Sequence, residues 1–295
     1  MVGMVTLNMT ENEIYQMTEN KKIVIAAIGD SVTAGSHISS DIGMLYRVWR
    51  GKKPSWFAEL IKMIRGRKVE AFNFARAGGE TSDIDYSYVI DKIARIDNMG
   101  TQVSEVLSLN RFPDLVLVWI GHNDLDWPEK ANKDFSAIAA HFRAEFQKQL
   151  ERLCAASLKA DRKTVIVVFD FINIRALFPL REKAALARQK NPKLFPYLEK
   201  GYKMFPAIRP EYHEQTFQLL DMLKDELAAT VADCQNKFQA EKLRLLCSDA
   251  LSGVTTDSLE DLHPVDGWHP SASGHKKLAE AAWSIVKEQI EFLVK

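Results

Sequence analysis

An apolar run, Lys22-Ile-Val-Ile-Ala-Ala-Ile28, stops abruptly at Gly29-Asp30-Ser31. A serine at the carboxyl end of a buried strand is held on rigid scaffold and faces the crevice where open α/β sheets place their chemistry. Its hydroxyl attacks only when a base takes the proton, and that base is normally a histidine oriented by a carboxylate. The chain has seven histidines. His37, His122, His141, His213, His263 and His275 each read as packing or surface residues. His269 differs in its setting, Asp266-Gly267-Trp268-His269-Pro270. An aspartate three residues earlier can fold back in a tight turn and accept from the imidazole Nδ1–H. That leaves Nε2 to face Ser31.

Acyl transfer also needs donors aimed at a developing oxyanion. Asn123, in Gly121-His122-Asn123-Asp124, offers a neutral side-chain amide just past an apolar run. The segment Asn73-Phe74-Ala75-Arg76-Ala77-Gly78-Gly79-Glu80-Thr81-Ser82 offers a glycine whose N–H can approach a substrate with no Cβ in the way. Taken singly, these are also an ordinary Asn–Asp turn cap and a turn glycine.

The elements that must position these residues are visible as patterns. Ile23–Ile28, Val69–Phe74, Leu115–Ile120, Thr164–Phe169 and Leu243–Cys247 are short, mostly apolar and often β-branched, as strands covered on both faces should be. Helical patterns lie between them: Trp56–Ile64, the long Phe135–Leu158, a face formed by Phe217, Leu220, Leu223, Leu227 and Val231, and Leu278–Leu293. Strands alternating with helices predict a three-layer α/β/α sandwich on a mainly parallel five-stranded sheet. The candidate residues then follow strand ends in order: Ser31 after the first, Gly78 after the second, Asn123 after the third, and Asp266 with His269 after the last. One domain over residues 21–295 is expected, behind a loosely ordered leader over 1–20.

Charge balances at 39 basic against 39 acidic residues, so nothing drives the chain globally toward nucleic acid or an acidic surface. Three cysteines, Cys154, Cys234 and Cys247, show neither metal spacing nor a disulfide framework. No metal or cofactor is expected. Neither a signal peptide nor a bilayer-spanning run is evident, which makes a cytoplasmic, reducing compartment the default; secretion by a route without an N-terminal mark stays open.

Residues 171–213 break the rhythm. Between Arg175 and Arg209 lie nine basic residues, opposed only by Glu182 and Glu199, with Phe178, Phe195, Tyr197, Tyr202 and Phe205 interleaved. Two readings stand side by side: a lid for an anionic, partly apolar ester such as a phospholipid, with peripheral membrane contact, and a solvated helical excursion.

Gly29-Asp30-Ser31, Gly78 within Asn73–Thr81, Gly121-x-Asn123-Asp124 and Asp266-x-x-His269, in this order over roughly residues 22–295, resemble the SGNH hydrolases, the GDSL esterase/lipase family. The resemblance implies a flavodoxin-like fold and metal-independent hydrolysis of acyl esters. It casts Ser31 as nucleophile, His269 as base and Asp266 as its orienter. The Ser31 N–H, the Gly78 N–H and the Asn123 side chain would form the oxyanion hole, and Asp30 would be structural. Val32 stands where the family's leucine would be, and Ala75 where glycine is frequent. Gly78 and Gly79 are adjacent, so the donor could fall one position later; alignment from Asn73 favours Gly78. The motifs do not reach 171–213 or name a substrate. Two other readings remain: an acyltransferase using the same residues, and a non-catalytic binding protein cradling phosphate at Gly78–Ser82.

Overall fold

A computed structural model describes residues 22–35, 55–81, 98–125, 134–204, 209–254 and 258–295. The leader expected over 1–20, together with His37, Ser82 and Phe205, lies outside the described residues.

Five strands form one parallel sheet: β1 (Ile23–Gly29), β2 (Val69–Asn73), β3 (Leu115–Trp119), β4 (Thr164–Phe169) and β5 (Leu243–Ser248), in the order β2-β1-β3-β4-β5. The helices are α1 (Ser31–Ala34), α2 (Trp56–Met63), α3 (Met99–Leu107), α4 (Phe135–Lys159), α5 (Ile174–Lys190), α6 (Leu198–Met204), α7 (His213–Lys237) and α8 (Ala272–Val294).

Strand residues alternate between two cores because successive Cβ atoms point to opposite faces. Ala26, Ile28, Val116, Val118, Ile166 and Val168 pack against α3, α4 and α7. Ile25, Ala27, Leu117, Trp119, Val165 and Val167 pack against α2 and α8. That is the expected α/β/α sandwich. β1, β3 and β4 are buried along their whole length. β2 and β5 are not, contrary to the expectation of five strands covered on both faces. They are the sheet edges, and β2 has no fully buried residue.

This strand order reverses between β1 and β3. The crevice outside the carboxyl ends of those two strands is the switch point where such sheets bind ligands. Ser31 follows β1 directly, and Asn123 lies four residues past β3.

Candidate active site

Ser31 begins α1, one residue beyond the capping Asp30, whose carboxylate accepts the Val32 N–H at 3.0 Å. A first-turn amide has no carbonyl within its own helix to reach, so the Ser31 N–H is spared for another acceptor. The position is fixed from behind by Gln102 on α3. Its Oε1 accepts the Gly29 N–H at 2.8 Å, and its Nε2 donates to the Gly29 carbonyl at 2.9 Å.

Asp266 and His269 ride on a small hairpin between β5 and α8. Leu262 and Pro270 bridge its base, the His263 N–H donates to the His269 carbonyl at 2.7 Å, and the Gly267 N–H donates to the His263 carbonyl at 2.8 Å. Ser271 then caps α8, its hydroxyl accepting the Gly274 N–H. The tight turn leaves Gly267 at φ +60°, where a Cβ would also press on Leu198 and Phe195.

The hairpin brings the two residues to Ser31. His269 Nε2 lies 2.9 Å from Ser31 Oγ, and its Nδ1 lies 2.8 Å from Asp266 Oδ2. Asp266 Oδ1 accepts the backbone N–H groups of Trp268 and His269 at 2.8 and 3.1 Å. Asp266 is fully buried, His269 is 2% exposed and Ser31 7%. With Nδ1–H donated to the carboxylate, Nε2 carries a lone pair directed at the serine hydroxyl.

Of the candidate donors, Ser31 and Asn123 line one crevice. Asn123 lines the pocket with Ser31, and its Nδ2 donates to the Gly79 carbonyl at 2.9 Å, tying the β3 loop to the β2 loop. One of its two amide hydrogens is spent there, which leaves the other for a ligand. The Gly79 N–H donates to the Arg76 carbonyl at 3.1 Å, whereas the Gly78 N–H makes no hydrogen bond among the described residues. Gly78 sits at φ +74°, a conformation in which a Cβ would be strained.

Several partners in this region carry no sequence signal. His122, read as packing or surface, pairs its Nδ1 with Asp30 at 2.6 Å while its Nε2 accepts the Ile172 N–H at 3.1 Å. Both ring nitrogens are committed, so His122 has no lone pair for a serine. Asp124 accepts the Thr81 N–H and, through a short bond, the Thr81 hydroxyl. Burial raises its carboxyl to about 6, partly offset by those Thr81 bonds. A phosphate at Gly78–Ser82 would need the very Thr81 groups that this carboxylate occupies, which counts against the cradle. His275 accepts the Trp56 N–H on Nδ1, and burial lowers it to about 3.

The insertion is helical and docked. Leu177, Leu180, Ala184, Phe195 and Leu198 pack with Leu262 of the hairpin. The Phe195 and Tyr197 N–H groups donate to the Pro264 and Val265 carbonyls, both at 3.0 Å. Phe195 is held at φ +48°, a conformation costly for a bulky residue and retained only where packing over-determines it. Of the nine cations, Arg175 pairs with Asp221, Arg188 with Glu199, and Arg209 donates to the Tyr202 carbonyl. Arg181 is buried in the pocket wall. Lys183, Lys190 and Lys193 are exposed, as are Leu186 and Leu194. Among the cations whose side chains are described, Arg175, Arg181, Arg188 and Arg209 are thus paired or buried rather than free on a basic face.

Among the described residues no helix is long and apolar enough to cross a membrane, and no cluster of ligating side chains could hold a metal ion.

The family described as GDSL-like lipase/acylhydrolase matches residues 25–282, and the chain belongs to it. No curated protein matches the chain. Among solved structures it is similar to a carbohydrate esterase whose active site displays divergent catalytic and non-catalytic binding functions (13% identity, TM-score 0.49, covering 90% of this chain and 65% of that one). It is also similar to TesA (14%, 0.46, 90% and 99%) and to the lipase Lip_vut3 from a goat rumen metagenome (15%, 0.46, 89% and 96%). The chain therefore spans slightly under two thirds of the carbohydrate esterase's length.

Proposed function

We propose that the protein hydrolyses carboxylic esters through an acyl-enzyme on Ser31. The observation that carries this reading is the unbroken line from Ser31 Oγ through His269 to Asp266, with contacts of 2.9 and 2.8 Å. His269 takes the serine proton as Oγ attacks the ester carbonyl. The buried carboxylate of Asp266 holds the neutral imidazole in its working tautomer and orientation and stabilises the imidazolium that forms. The tetrahedral oxyanion accepts from the Ser31 N–H, the Gly78 N–H and the second hydrogen of Asn123 Nδ2. The commitment of the Gly79 N–H to Arg76 favours Gly78 over its neighbour as the donor. His269 then returns the proton to the departing alkoxide, and water repeats the sequence on the acyl-enzyme.

Asp30 has a supporting part, capping α1 and holding His122, so the serine and the β3 loop share one anchor. Turnover of p-nitrophenyl butyrate tests the reading. Ser31→Ala should lower kcat by roughly 10⁶. A variant that kept wild-type turnover would refute it.

A further inference from the structure

The pocket that contains Ser31 has a cation in its wall. Arg181, from α5 of the insertion, is 2% exposed. Its guanidinium is stacked over the Trp268 ring, lies 5.8 Å from the Phe178 ring, and donates through Nη2 to the Trp268 carbonyl at 3.2 Å. Its Nε and Nη1 have no hydrogen-bond partner among the described residues. No carboxylate forms an ion pair with it among the described residues; Asp266 and the Tyr202 hydroxyl act on it only electrostatically.

The carboxylates on the pocket wall are engaged elsewhere. Asp30 holds His122, and Asp261 holds Lys277 at 2.7 Å and the Ser273 hydroxyl at 3.1 Å. The rest of the wall is largely apolar, with Leu125, Ile172, Ile174 and Leu177. A buried guanidinium with unused donors is costly, and burial accordingly pulls its pKa well down. Arginine keeps its charge in nearly any setting, and its fork matches two oxygens of one anion. An oxyanion entering this pocket would supply the acceptors that the fold leaves out.

We propose that Arg181 receives an anionic group, a carboxylate or a phosphate, carried by the ester that Ser31 attacks. This rests on the hydrolase reading above and names the substrate class for that same site. The insertion thus contributes one buried recognition charge rather than a diffuse basic surface. Because Arg181 grips Trp268, the residue before His269, the anion would be seated beside the base.

Two ester pairs test it, and they separate the sources of the charge. 1-Butyrylglycerol 3-phosphate against 1-butyrylglycerol places the anion on the alcohol. Methyl hydrogen succinate against methyl butyrate places it on the acyl chain. In at least one pair the wild-type protein should favour the anionic ester in kcat/KM. Arg181→Met should lower that ratio about 30- to 100-fold, mostly through KM, as loss of a charge-assisted, desolvated contact does. Arg181→Lys should lower it about tenfold, and it carries the test alone if the Met variant does not fold.

A merely structural Arg181 would slow both esters of a pair together and leave the ratio unmoved. That result, or a wild-type protein indifferent to the charge in both pairs, overturns the proposal. Failure of the hydrolase reading looks different, since none of the four esters would then be cleaved. In that event glycerol 3-phosphate and succinate should still raise the thermal midpoint of the wild-type protein more than that of Arg181→Lys. Equal shifts, or none, would reject the subsite as well.

Discussion

Gln102 grips Gly29 at both of its backbone polar groups, accepting the N–H at 2.8 Å and donating to the carbonyl at 2.9 Å. The glycine is the last residue of β1, two positions before the candidate nucleophile. A fully buried side chain on α3 therefore sets where the strand ends and how Ser31 enters its helix. Gln102→Leu keeps the bulk but strips both bonds. Urea denaturation should show a loss of about 1–3 kcal/mol, the cost of orphaning the buried Gly29 N–H, since its carbonyl still accepts the Arg76 N–H at 3.0 Å. The kcat of the folded variant should fall roughly 10- to 100-fold, since small misplacements of a reacting group are expensive.

Asp266→Asn isolates orientation from shape. The amide oxygen can still accept from the Trp268 and His269 N–H groups, but an NH₂ then faces Nδ1 and forces the opposite tautomer. Ester turnover should drop by about 10⁴ while the fold stays intact by circular dichroism. A drop of less than about tenfold would mean that the carboxylate does not hold the working tautomer.

Asn123→Ala removes one proposed oxyanion donor and the bond to the Gly79 carbonyl. The expected cost is about 10²–10³ in kcat with little change in KM. Steady-state kinetics on a neutral short-chain ester reads the split directly, and a rise confined to KM would assign Asn123 to ground-state binding.

Two buried groups give the stability opposite pH slopes. Asp124 titrates near 6 in the fold against 3.8 for the ordinary group, so its favourable contribution is full below 3.8 and is lost as pH rises through 6. His275 titrates near 3 against 6.5, so its contribution is full above 6.5 and is lost as pH falls through 3. The two oppose each other between pH 4 and 6. Asp124→Asn removes only the first, and denaturation midpoints of that variant should climb more steeply with pH across this window than those of the wild-type protein. Parallel profiles would contradict the raised carboxyl.

What the sequence made legible is what short-range pattern can encode. The apolar runs mark all five strands, and the glycines, serine, asparagine and Asp-x-x-His stand at the strand ends and turn that the proposed chemistry requires. What it hid are pairings across long separations. Gln102 with Gly29, 73 residues apart, and His122 with Asp30, 92 apart, have no local signature. The insertion stayed open to two readings for a related reason. Pro179 sits inside α5, in the second turn. The N–H it lacks would have met only the carbonyl of Arg175. Phe195 is buried, Phe178 is buried while lining the Ser31 pocket, and Arg181 was one of nine cations in sequence until the fold enclosed it. Burial of a charge is decided by what packs over it, and composition does not report that.

Covalent labelling reads whether Ser31 is the nucleophile without any choice of ester. After treatment with a fluorophosphonate, peptide mass spectrometry should place a single adduct on Ser31 in the wild-type protein. The adduct should be absent in Ser31→Ala and should form far more slowly in His269→Ala. An adduct on another residue, or one that forms as fast without the imidazole, would contradict it.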